Sequence, residues 1–130
     1  MTTARRGSRD DGSVSVLIVA GVAALLVFAM GVTDVARVLL AASRAQTSAD
    51  SAALAAAQQL ALDEREPLPV ELAAEYAAIN GAVLQTCTCD PGSFAATVEV
   101  GMPVGPLLLF GDARLVLARA RAEVGLPAPA

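Results

Sequence analysis

The chain has 130 residues, of which 55% are hydrophobic but only 3% aromatic, and its net charge is −4. It contains no His and no Lys, which removes the commonest general base, the commonest metal ligand and Schiff-base chemistry. The length allows one domain. The acidic balance argues against a nucleic-acid surface, which needs a basic patch. An apolar mass made of Ala, Val and Leu suits close helix packing better than a pocket for a small molecule or cofactor.

Residues 1–12 (MTTARRGSRDDG) are polar and read as a cytoplasmic leader. Ser13–Thr33 (SVSVLIVAGVAALLVFAMGVT) follows without a charge. At about 21 residues it matches the roughly 20 that a helix needs to cross the hydrocarbon core. Arg5, Arg6 and Arg9 precede it beside Asp10 and Asp11, whereas six Arg face eleven acids from residue 34 onward. The basic flank stays in the cytoplasm, so the amino terminus is expected inside and the remainder outside, on a single-pass membrane protein. Ala20 and Ala24 stand at the small-xxx-small spacing that lets a neighbouring helix approach closely. The alternative is a cleavable signal, since Ala29-Met30-Gly31 offers a small-x-small site before Val32. That would release a secreted binding protein.

The helical pattern continues past the apolar run. It predicts one helix from about Ser13 to Leu62, with residues 34–62 as an extracytoplasmic stalk. Val35, Val38, Leu39, Ala42, Ala45, Ala49, Ala53, Ala56 and Leu60 fall roughly on one face. Asp34 can pair with Arg37 at helical spacing. Asp50 has no Arg three or four positions away, so its partner is expected on another segment or chain. Ala49 and Ala53 are expected to let a partner helix approach, and leucine there to block assembly more than folding.

Residues 63–130 read as a small head. Asp63–Pro67 (DEREP) is a charged break, and Pro69 can open a second helix with Glu71 and Glu75 near its amino-terminal dipole. Asn80-Gly81 can end it. Residues 82–89 and 93–100 alternate around the turn Asp90-Pro91-Gly92 and predict a hairpin, with Phe94, Ala96, Val98 and Val100 on one face. Residues 114–124 (RLVLARARAEV) fit a third antiparallel strand. Leu107–Phe110 (LLLF) is an apolar run expected to dock on the sheet, the second helix or lipid. The fold class is therefore α+β, a long helix with a head of a second helix and about three antiparallel strands.

Cys87 and Cys89 are one residue apart. A four-ligand zinc site would need acids or a partner chain. A local bridge, expected to be strained, a bridge to another chain and free thiols all remain open. Glu71 and Glu75 share a helix face, but nothing around them completes an acid–base site. Phosphate-binding glycine loops, hydrolase elbows and zinc-protease motifs are absent from the sequence, and the chain does not read as an enzyme.

The stretch Asp34–Ala57 (DVARVLLAASRAQTSADSAALAAA) resembles the TadE/TadG-like family of pilus-assembly pseudopilins. Asp34, Arg44, Gln46, Ala49, Asp50 and the run Ala52–Ala57 carry the resemblance. The Cys-containing turn, the TVEV strand and the ARARAEV strand are similar to an actinobacterial TadE-like branch found beside helicase and secretion genes. The resemblance implies a pilin-like fold and a minor component of a Flp/Tad-type pilus or related secretion apparatus. It also implies contacts to other TadE/TadG-like or pilin subunits, to secretion-apparatus proteins and to membrane lipid. Relatives are processed after a Gly that precedes the apolar run, which here gives a site between Gly12 and Ser13. Many carry Glu as the fifth mature residue, where this chain has Leu17. Both a filament subunit and a permanently anchored accessory protein therefore stay open.

Overall fold

A computed structural model describes residues 11–62 and 66–125. Most of the expected leader, residues 63–65 of the charged break and the last five residues lie outside the described residues. The first element, α1, runs unbroken over Asp11–Leu62. It is rich in Ala and Leu and holds no Pro, so nothing stops propagation. At 1.5 Å per residue it is about 78 Å long. Residues 12–33 are exposed on every side except at half-buried Gly31.

From Asp34 onward one face of α1 is buried. Asp34, Ala41, Ala45, Ser48, Ala49, Ala52, Ala53 and Ala56 return every three or four residues, which is the spacing of one helical face. This face is rotated from the expected one. Ala45, Ala49, Ala53, Ala56 and Leu60 lie on it and Val38 and Ala42 flank it, but Val35 and Leu39 point outward. The pattern had counted only apolar residues, whereas the face begins at a carboxylate.

The second helix, α2, spans Pro69–Ile79. Pro69 restricts Leu68 to extended backbone, and the Leu68 N–H donates to Glu71 Oε2 at 3.1 Å. Glu71 thus closes the helix start. At the other end Gly81 has φ 78°. There the Gly81 N–H donates to the Ala78 carbonyl and the Ala82 N–H to the Ala77 carbonyl, both at 2.9 Å. Those two bonds need a left-handed residue just past the helix, the reason glycine stands there.

Three strands follow, β1 (Val83–Thr88), β2 (Ala95–Val104) and β3 (Arg114–Glu123). They form an antiparallel sheet in the order β1-β2-β3. The register pairs Val98 with Ala120, Val100 with Ala118 and Met102 with Val116. The alternating residues of β3 accordingly face the helices, and sheet pairing overrides the helix propensity of its Ala and Arg residues. Phe94, expected on the inner face, precedes β2 at a bend and is 40% exposed. In β1 the register shifts between Leu84 and Thr86. The extra residue carries Leu84, Cys87 and Cys89 to the inner side, where all three pack against the core. Positions two apart in a strand share a face, so the two cysteines lie side by side. They are joined as a disulfide, with Cα atoms 5.6 Å apart.

The core is one cluster drawn from the inner face of α1, from Ala73 and Ala77 of α2, and from the sheet. The stretch read as a stalk therefore contributes to the same core as the elements that follow it. Ala49 and Ala53 are 0% exposed within the chain itself. Packed against Val98 and Val100, the largest fully buried apolar side chains, such alanines let helix and sheet approach closely. Leucine at Ala53 is expected to overpack this layer and destabilise the fold by about 1–3 kcal/mol, read as a lowered thermal midpoint in detergent. An unchanged midpoint together with lost assembly would instead return Ala53 to a partner interface. The Cys87–Cys89 bond closes only a very short loop, so its reduction is expected to cost less than about 2 kcal/mol and to leave the circular dichroism of the sheet unchanged.

Candidate functional site

Glu71 is occupied at the start of α2, and among the described residues no group of three or more His, Cys, Asp or Glu side chains could hold a metal. The distinctive arrangement lies where the apolar half of α1 meets the head. Asp34 is 1% exposed. Its Oδ1 accepts the Leu108 N–H and its Oδ2 the Leu109 N–H, each at 2.8 Å. The two donors open a tight turn, Leu107–Gly111, that is closed by the Gly111 N–H donating to the Leu107 carbonyl at 3.1 Å. Gly111 has φ 68°, a conformation side-chain-bearing residues resist.

Arg37 does not take the carboxylate as its hydrogen-bond partner. Its guanidinium reaches the Pro106 carbonyl at 3.4 Å, in the loop between β2 and the same turn. Asp34 and Arg37 therefore pin one loop at two points, 74 and 69 residues away in sequence. Burial raises the carboxyl pKa of Asp34, but the amides of Leu109 and Leu108, the charge of Arg37 and the amide of Phe110 outweigh it and hold the pKa below its ordinary value. Charge-assisted bonds of this type are among the strong ones.

The remaining predicted residues are spread along α1. Gly12 and Ser13 lie in its first turn, and Ala20 and Ala24 in its exposed apolar half. Arg44, Gln46 and Asp50 are exposed on the outer side. Gln46 donates to Asp50 Oδ1 at 3.0 Å one turn away, so the partner expected from another segment is on the same helix. A search restricted to Arg overlooked it. Ala49 and Ala53 face the core, as does Ser48, whose hydroxyl donates to the Ala77 carbonyl at 3.4 Å. The structure thus brings Asp34 to the loop 105–111, pairs Gln46 with Asp50 and Cys87 with Cys89, and gathers no others into one site. The loop amides were missed because backbone groups leave no residue-type signature. The one available cue was an apolar run bracketed by Gly105-Pro106 and Gly111, which marks a tight turn.

Residues 12–59 match the family model of Tad, described as Flp pilus-assembly TadE/G-like. The match follows α1 almost from end to end. Searches of curated proteins and of solved structures returned no match.

Because the pKa of Asp34 is lowered in the folded chain, its ionised form favours the docked loop above the unfolded-state pKa. That contribution is lost as pH falls through the folded-state value. Amide NMR shifts of Leu108 and Leu109 in micelles are expected to hold from neutral pH down to the ordinary carboxylate range and to move only below it. Asp34→Asn presents an amide NH2 to one of the two donors, so both amides should exchange faster at neutral pH. An Asp34 titrating above the ordinary range would mean that burial dominates.

Proposed function

We propose that the chain is a membrane-anchored, non-catalytic minor pseudopilin-like component of a Flp/Tad-type pilus or related secretion apparatus. Residues 13–33 cross the membrane, the amino terminus is cytoplasmic, and the head stands outside. The observation that carries this reading is the coincidence of the TadE/G-like match with an α1 whose uncharged exposed surface is long enough to span. With Asp34 turned inward, the first exposed charge after Ser13 is Arg37. The uncharged helical surface then extends over about 24 residues, or roughly 36 Å, against roughly 30 Å of hydrocarbon.

The outer side of α1 supports a packing role. Val35, Leu39 and Leu40 are more than half exposed, just beyond the proposed span. They offer a neighbouring subunit an apolar strip while Arg44, Gln46 and Asp50 follow with polar contacts. A filament subunit would add processing between Gly12 and Ser13, and an anchored accessory would keep its leader.

Intact mass and protease protection of the protein in native membranes test the topology. Resistance to alkaline extraction with a protease-accessible head is expected. Release into the medium with a start near Val32 would overturn the anchor. Leu39→Glu together with Leu40→Glu is expected to reduce co-purification with pilin subunits about tenfold or more, given that an apolar contact of two leucines is worth about 1.5–3 kcal/mol each, while leaving head stability unchanged. Unaltered co-purification would remove this strip from the interface.

A further inference from the structure

The turn that Asp34 holds carries Leu108, Leu109 and Phe110, which are 53%, 44% and 58% exposed. Three consecutive large apolar residues on a soluble surface would be unfavourable. Their place in the fold is specific. A Cβ at Gly31 would meet Leu109 Cδ1 at 3.5 Å, and Phe110 shares an apolar groove with Phe28, Gly31, Val32 and Val35. The tip therefore descends alongside α1 to the level of the last residues of the apolar run.

The backbone of the tip is equally particular. The N–H groups of Leu108 and Leu109 donate to Asp34, and the Phe110 amide also faces that carboxylate. Those of Gly111 and Asp112 donate to the carbonyls of Leu107 and Phe110. Four of the five amide donors from 108 to 112 are thus hydrogen-bonded inside the chain, and the fifth, that of Phe110, faces the Asp34 carboxylate. Internal pairing of this kind is what a loop needs to enter a low-dielectric layer, since lipid offers no partner to a free N–H. Exposed Arg37 and Arg114 stand beside the turn, at the level where cationic side chains meet headgroups.

We infer that the Leu108–Phe110 tip inserts into the outer leaflet of the bilayer beside α1, as a second, shallow membrane contact that sets the head against the lipid surface. This rests on the anchored reading above. Lipid is the occupant because the tip is continuous with the apolar surface of the span and lies at its depth.

The chain has no Trp, so a single introduced one reports its own surroundings. The full chain is reconstituted in phosphatidylethanolamine–phosphatidylglycerol vesicles with bromines on the acyl chains. Leu25→Trp marks the mid-span, Phe110→Trp the tip, and Tyr76→Trp the exposed side of α2. Leu25→Trp and Phe110→Trp are each expected to emit to the blue and to lose about half their intensity to brominated lipid, as interfacial aromatic residues sit within reach of acyl chains. Tyr76→Trp should respond only to aqueous acrylamide. If Leu25→Trp is quenched by lipid but Phe110→Trp by acrylamide, the anchor stands and the inserted tip is overturned. Shielding of Phe110→Trp from both quenchers would overturn it in favour of a protein partner. If Leu25→Trp escapes lipid quenching, the anchored reading fails and the tip falls with it. Leu108→Trp, at a position equally exposed, repeats the test should Phe110→Trp misfold.

Discussion

The carboxylate of Asp34 is the constraint on which the arrangement depends. An acid at the end of an apolar helix would ordinarily seek water. Here it is turned inward and supplied with backbone donors from a turn more than 70 residues further along the chain. That one side chain selects which face of α1 looks at the sheet. It orders the connection between β2 and β3, and it removes a charge from the exposed surface of the helix. Moving it by one position would rotate each of these by about 100° of helix turn.

The second constraint is size. The inner face of α1 is built almost wholly from alanine, and the facing strands offer Val98, Val100 and small residues. Such a core buries little area per residue, and a head of this length is marginal by itself. Continuity with a long, already formed helix offsets this, since α1 needs no separate nucleation within the head. Two hydrogen-bonded links between α1 and the end of α2, Ser48 to the Ala77 carbonyl and Asn80 Nδ2 to Ser51 Oγ, help fix the register of smooth alanine surfaces that would otherwise slide.

Most of the fold was legible in the sequence. The uncharged run, the unbroken Ala/Leu pattern to Leu62, Pro69 and Asn80-Gly81 as helix bounds, and the alternation of the three strands each rest on local chemistry that the structure retains. The misreadings were non-local. The buried face of α1 was displaced because a carboxylate begins it. The alternation expected over 82–89 is interrupted by a register irregularity between Leu84 and Thr86. Phe94 lay outside the ladder. Of the site, Asp34 was singled out, but its partners are backbone amides in a loop, and amides carry no identity in a sequence.

The absence of any linker between the apolar half of α1 and the core has a mechanical consequence. In many anchored proteins a flexible tether lets the outer domain tumble. Here the same run of helical hydrogen bonds passes from residue 12 to residue 62, and the loop at Asp34 braces it at the crossing point. Any rotation or axial displacement of the apolar half is handed to the sheet without slack. A pull on the sheet arrives at residues 12–33 as a force along the helix axis, so the molecule moves like a rod with a fixed vane.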